Sequence, residues 1–145
     1  MSTKELQKVI SDNMELWMRV ENASIGSTGR IIEKTDHPVL RMVMEIIQRD
    51  SLAHYRTQEF IKRTVEEESV TMTPEDMASV WDLIEKHIQI EKRTIEIAKE
   101  VLEHLKGKKM LVQEYLLNYL LKDEQKHDEL LEELSRIKQG MYPYG

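Results

Sequence analysis

The sequence predicts an all-α protein made of four long helices. Charged residues make up 33% of its 145 residues, and it contains only five Gly and three Pro, a composition typical of long helices. Apolar residues recur in steps of three and four along most of the chain, which is the period of an amphipathic helix. The length is that of one ordinary domain, so we expect a single domain spanning 1–145.

Three breaks separate the predicted helices. Asp36 can cap a helix that Pro38 begins, the segment from 69 to 74 ends in a second helix start at Thr73-Pro74-Glu75, and Lys106-Gly107-Lys108 forms the third break. The predicted elements, in order, are helices at about 3–34, 37–66, 74–106 and 109–139, followed by a short C-terminal tail at 140–145.

Composition and charge exclude several classes of function. The net charge is −6 and no basic run stands out, so we expect no nucleic-acid partner. There is no cysteine, so any metal must be bound through oxygen and nitrogen. The N-terminus lacks a hydrophobic signal core, and no apolar run approaches the roughly 18 residues of a membrane span. We therefore expect a cytoplasmic protein with no membrane partner.

Each predicted helix interrupts its apolar seam near its midpoint with polar side chains. The third helix, for example, keeps apolar residues from Met77 to Leu105 in steps of three and four, with Glu91 at the one vacancy. An ionised carboxylate on a core seam costs several kcal/mol unless a cation or proton compensates. A shared metal site is the economical explanation. The interrupting residues are Glu21, Ser51, His54, Glu91, Glu124 and His127.

The two halves of the chain repeat this pattern. The segments 50–54 (Asp-Ser-Leu-Ala-His) and 123–127 (Asp-Glu-Gln-Lys-His) carry Asp and His at the same offsets, and a Glu precedes the histidine by 33 residues in one half and by 36 in the other. Taken singly, each residue has a simpler explanation, as a satisfied core histidine or as a charge that fixes helix register. The joint pattern favours the metal site.

This pattern resembles the ferritin-like superfamily, especially rubrerythrin and bacterioferritin, over nearly the whole chain. Those families carry one Glu on the first and third helices and Glu-x-x-His on the second and fourth, around two iron ions. The resemblance implies a ferritin-like four-helix bundle. It also implies that Asp50 and Asp123 hydrogen-bond the ligand histidine of the opposite half. The implied metal ligands are Glu21, His54, Glu91, Glu124 and His127, with Glu124 as a bridging carboxylate.

Ser51 departs from the family pattern, because it stands where the second bridging carboxylate is expected. Two divalent ions carry +4, whereas the three remaining carboxylates supply only −3. Three outcomes are open: one occupied position, two metals with water, hydroxide or an anion in place of the lost carboxylate, or substitution by Asp50. Asp50 ranks lowest because it lies about 100° around the helix. His87, about 6 Å from Glu91 along the helix axis, is a weaker additional candidate ligand.

The resemblance implies an iron-binding protein that oxidises Fe(II) with O2 or peroxide if both positions fill, with another divalent metal left open. The alternative is a non-catalytic four-helix module with a single-metal or empty site. In a ferritin-like bundle the link between the second and third helices must span some 40 Å, whereas seven residues reach at most about 25 Å. Either residues 63–80 unwind to make this connection within one chain, or two protomers exchange helical hairpins. We expect a homo-oligomer, in the first instance a dimer, with or without such an exchange.

Overall fold

The computed structural model describes residues 1–141 and consists of five helices joined by short connections. Within that range there is no β-strand, which confirms the all-α prediction. Of the predicted C-terminal tail, residues 142–145 lie outside the described range, and Gly140 belongs to the last helix rather than to a tail. The helices are α1 (Thr3–Lys34), α2 (Pro38–Glu66), α3 (Pro74–Ala78), α4 (Trp81–Leu105) and α5 (Leu111–Met141).

Local capping groups fix where α1 and α2 begin. The Ser2 hydroxyl accepts a hydrogen bond from the Glu5 backbone N–H at 3.1 Å, and the Glu5 carboxylate accepts one from the Ser2 N–H at 2.9 Å, which forms a capping box. At α2 the cap is His37, whose Nδ1 accepts from the Val39 N–H at 3.2 Å. The predicted cap at Asp36 is therefore wrong, because with Pro38 at the first helical position Asp36 lies one residue too early.

The third predicted helix is interrupted, so its prediction as one helix over 74–106 is wrong. After the five residues of α3, the backbone of Val80 leaves the helical region (φ −121°, ψ 0°), and α4 begins at Trp81. The Ser79 hydroxyl donates to the Asp76 carbonyl oxygen at 3.2 Å, and such local bonding competes with the helix. The break at Gly107 is confirmed, and its φ of +74° suits glycine.

The chain divides into two compact units, which are Met1–Val70 and a second beginning at Thr71. In the first unit α1 packs on α2, and in the second α4 packs on α5, with α3 contacting both. We call the α1–α2 pair the first hairpin and the α4–α5 pair the second hairpin. Both are antiparallel, since early residues of one helix contact late residues of the other. The prediction of a single domain stays a prediction.

The predicted apolar seam is correct in α4 but only in part in α1 and α2. Every residue that the period places on the seam of the third segment is buried or half-buried. In α1 the period predicts a seam that includes Leu6 and Trp17, but these are 49% and 52% exposed. In α2 it predicts a seam that includes Leu40, Ile47 and Ile61, which are also exposed. The buried residues of α1 are Ser11, Met18, Glu21 and Thr28.

Five of the six most buried residues of the first hairpin are polar, whereas apolar residues such as Ile10, Met14 and Ile25 are half-buried. The two helices of this hairpin are joined by hydrogen bonds between side chains, such as the one that the Ser11 hydroxyl donates to the Glu66 carboxylate. Such pairs satisfy polar groups that would otherwise be costly to bury. Among residues 1–141, no helix carries an apolar stretch long enough to cross a membrane.

Candidate metal centre

The second hairpin brings two carboxylates and one imidazole together at its middle. Glu91 lies near the centre of α4, and Glu124 and His127 lie on α5. The spacing of three residues between Glu124 and His127 puts both on one face of α5. One ligand atom from each of the three residues lies within 4.8 Å of the other two, which makes this a group that could hold a metal ion. Sequence reasoning predicted all three residues.

Glu91 is the most enclosed member of this group, with a side chain only 8% exposed. Its Oε1 lies 2.8 Å from His87 Nε2, and its Oε2 lies 3.5 Å from His127 Nδ1. The Oε2 atom is buried and receives no hydrogen bond. A buried carboxylate oxygen without a donor is costly, so this atom needs either a proton or a cation.

The carboxyl group of Glu124 lies beside that of Glu91. The neighbouring Glu124 lowers the pKa of Glu91, and the contact with His87 lowers it further. The neighbouring Glu91, together with burial, raises the pKa of Glu124. The Thr94 hydroxyl lies 3.0 Å from Glu124 Oε2 and 2.7 Å from the Glu91 carbonyl oxygen. Thr94 thus ties the position of Glu124 to the backbone of α4.

His127 is partly exposed and is held between acidic groups. Its Nδ1 lies 3.7 Å from Glu124 Oε2, on the side that also faces Glu91. Its Nε2 lies 3.4 Å from Asp123 Oδ2 on the same helix. The resemblance implied that Asp123 would support the histidine of the other half, whereas here it contacts the histidine of its own helix. A carboxylate at the far nitrogen fixes the tautomer of an imidazole ligand.

His87 lies at the edge of this group, and its side chain is 54% exposed. The structure brings its Nε2 to Glu91 rather than into the group of three ligand atoms. Its contact therefore supports a ligand carboxylate. The weaker sequence prediction, in which His87 ligates the metal directly, stays a prediction.

The first hairpin brings together Glu21 and His54, the other two predicted ligands. The His54 Nδ1 lies 3.5 Å from Glu21 Oε1, and the Glu21 side chain is 9% exposed. The His54 side chain is 59% exposed, so its predicted burial is wrong. Within residues 1–141, neither His54 nor the half-buried Asp50 belongs to a group of three metal-compatible side chains.

Ser51, the altered ligand position, is buried and already has a partner. It is 5% exposed, and its hydroxyl lies 2.8 Å from the Ser24 hydroxyl. Ser24 follows Glu21 by three residues, just as Thr94 follows Glu91. The two hairpins therefore repeat a hydroxyl contact, Ser24 to Ser51 and Thr94 to Glu124. Sequence reasoning missed this contact, although a hydroxyl three residues after each Glu was a visible signal.

Sequence reasoning also missed Gln58, which is only 3% exposed. Its Nε2 donates to Glu21 Oε1 at 3.2 Å, and its own Oε1 is buried without a hydrogen bond. Gln58 lies four residues after His54, where the second hairpin has Leu131 four residues after His127. The two hairpins thus differ at a second position besides Ser51.

The donor set of the second hairpin suits a divalent ion of the first transition series. Two carboxylates supply −2, which balances a charge of +2, and one imidazole adds a nitrogen donor. The first hairpin offers a single carboxylate and one exposed imidazole.

Comparison of the chain with protein-family models, with curated proteins and with solved structures gave no match. The resemblance to the ferritin-like superfamily therefore rests on the pattern of residues in this chain.

Proposed function

We propose that this protein binds a divalent metal ion, with iron as the leading candidate, through Glu91, Glu124 and His127. One observation carries the proposal: the buried Glu91 Oε2 receives no hydrogen bond while it faces His127 at 3.5 Å. A native interior leaves few such oxygens unsatisfied. A cation between the two carboxyl groups removes this cost.

The electrostatics of the pair support the same conclusion. Two adjacent carboxyl groups ionise together only at a cost, and Glu91 together with burial raises the pKa of Glu124. A divalent ion would favour the ionised form of Glu124 and would balance both carboxylates. His87 would keep Glu91 Oε1 occupied, so that Oε2 stays directed at the ion.

We extend the proposal to a ferritin-like assembly of two hairpins into a four-helix bundle, formed within one chain or by exchange between two copies. Its support is the exposed apolar surface beside the polar residues. Trp17 and Val20 are 52% and 57% exposed close to Glu21, and Ile90 and Leu130 are 57% and 64% exposed in the second hairpin. Large exposed apolar patches mark association surfaces. A strictly monomeric species in sedimentation at micromolar concentration excludes the exchanged dimer.

Iron bound at this site would supply the electrons that reduce O2 or peroxide. The role of the protein's own residues is to bind the ion and hold it in place. The carboxylates of Glu91 and Glu124 favour the ferric state, and Thr94 and Asp123 orient Glu124 and His127. The competing function is a non-catalytic module with one metal. The Ser24–Ser51 contact favours it, because a hydroxyl pair replaces the carboxylate that a second ion needs.

Anaerobic titration with Fe(II), followed by exposure to air, tests both functions. We expect binding in the wild type, loss of binding in Glu91→Gln, and unchanged binding in Glu100→Gln, a matched charge control at an exposed position of the same helix. Two equivalents with oxygen uptake and a ferric absorption band support oxidation. One equivalent without oxygen uptake supports the module. No binding by the wild type refutes the proposed function.

A further inference from the structure

The two hairpins have equivalent polar positions but satisfy them in different ways. In each, a Glu of the first helix faces a His of the second at 3.5 Å. In the second hairpin the oxygen that faces the histidine, Glu91 Oε2, receives no hydrogen bond. In the first hairpin, the side-chain amide of Gln58 donates to the equivalent oxygen, Glu21 Oε1. The difference lies in a residue that the repeat does not share.

Gln58 is placed where an apolar residue would suffice for packing. The equivalent position of the second hairpin holds Leu131, which is half-buried. Gln58 is more deeply buried, at 3% exposure, and burying an amide is unfavourable unless it makes hydrogen bonds. Its Nε2 makes one, to Glu21, while its Oε1 makes none. The opposite orientation of the amide would set Oε1 against a carboxylate oxygen, so Glu21 fixes this orientation.

A metal ion bound between Glu21 and His54 would need Glu21 Oε1, the oxygen that faces the histidine and that Gln58 already contacts. Glu21 Oε1 lies 3.2 Å from Gln58 Nε2 and 3.5 Å from His54 Nδ1. The charge is also insufficient, since one carboxylate supplies −1 to an ion of +2. The Ser24–Ser51 hydroxyl pair adds no negative charge.

We propose that Gln58 is a specificity-determining residue that keeps divalent metal out of the first hairpin by occupying the Glu21 carboxylate. Together with Ser51 it makes the first hairpin a metal-free counterpart of the second. This inference rests on the proposed function only where it contrasts the first hairpin with a metal-binding second hairpin. It implies that restoring a carboxylate at Ser51 is not sufficient to create a site.

The test counts metal ions in the full chain after the second hairpin has been silenced by Glu124→Gln. In that background, Co(II) titration compares Ser51→Glu with the combination of Ser51→Glu and Gln58→Leu, where Leu is the residue of the equivalent position. We expect the combination to bind one ion, at least about tenfold more tightly than Ser51→Glu alone, because the amide no longer competes for Glu21. Gln58→Met, of similar length, repeats the test if the Leu variant does not fold.

Each outcome decides the inference. Equal Co(II) affinity with and without Gln58 overturns it, because the amide then excludes nothing. Weaker binding without Gln58 also overturns it, since the unpaired Oε1 of Gln58 would then be acting as a ligand. The background lacks Glu124, so the result does not depend on whether the wild-type second hairpin binds metal. Failure of the proposed function appears separately, as an absence of binding in the wild type.

Discussion

Replacing Glu124 by Gln should change the stability of the protein in opposite directions without and with metal. In the metal-free protein, Glu91 Oε2 is buried without a hydrogen-bond donor, and the neighbouring Glu124 has a pKa raised by Glu91 and by burial. A Gln amide at position 124 can donate permanently to that oxygen, while its carbonyl oxygen accepts from Thr94. The substitution keeps the size of the side chain, so little repacking is needed.

The expected gain follows from the burial of the two groups. A hydrogen bond to a charged group contributes about 1.5–3 kcal/mol when it is well buried. The Glu124 side chain is 27% exposed and that of Glu91 only 8%, so the lower end of this range applies. We therefore expect Glu124→Gln to raise the free energy of unfolding of the metal-free protein by about 1.5 kcal/mol. With metal at one hundred times its Kd, the wild type alone should gain about 2.7 kcal/mol.

Urea denaturation in the presence of a chelator, and again with excess Co(II), measures both effects. The slope of free energy against urea should stay constant, so that the midpoints report stability. Glu114→Gln, an exposed position on the same helix, controls for the loss of one negative charge. The reasoning is refuted if Glu124→Gln destabilises the metal-free protein, or if it gains as much from metal as the wild type.

Four further predictions concern the site and the first helix. Thr94→Val removes the hydroxyl that holds Glu124 and should weaken metal binding about tenfold at unchanged stoichiometry in chelator competition, whereas unchanged affinity contradicts this role. Metal affinity should fall as pH falls, starting above the ordinary value of 4.5 because the pKa of Glu124 is raised. Protonated Glu124 stabilises the metal-free protein because its pKa is higher in the folded state than in the unfolded state. This stabilisation is fully present below pH 4.5 and is lost as pH rises through the raised pKa, so the urea midpoint should fall over that range. A midpoint that rises over the same range contradicts this prediction. Ser2→Ala should cost about 1 kcal/mol in urea denaturation because the capping box is lost, and a wild-type midpoint would contradict that.

Helix positions were predictable from the sequence where the signal is local. Pro38, Pro74 and Gly107 act through their own backbone preferences, and each marks a boundary in the structure. The break before Trp81 was missed because Ser79 and Val80 disfavour a helix only slightly, whereas the apolar period continues through them. The same period identified the inward face of α4 correctly, since its apolar residues lie on a single stripe.

The inward face of α1 could not be predicted in this way. Its apolar residues are spread around the helix, so the period allows several faces. The structure turns a mixed face inward, whose most buried residues are mostly polar, and there Ser11 pairs with Glu66 and Ser24 with Ser51. Such pairs form only where a suitable residue of α2 lies opposite each residue of α1. The apolar period of one helix does not show which residues of the other helix lie opposite it.

The helical period and the repeated spacing in the sequence predicted that each Glu lies at the level of the His in its own half, and both hairpins confirm this contact. That the two groups form one shared metal site stays a prediction. The sequence also marked Ser51 as the position where the halves differ. Only the tertiary structure decided how each carboxylate is satisfied: Glu21 by the amide of Gln58, and Glu91 by His87 on one oxygen and by no donor on the other. Hydrogen bonds between helices depend on distances of a few tenths of an ångström, and residue spacing does not encode distances that fine.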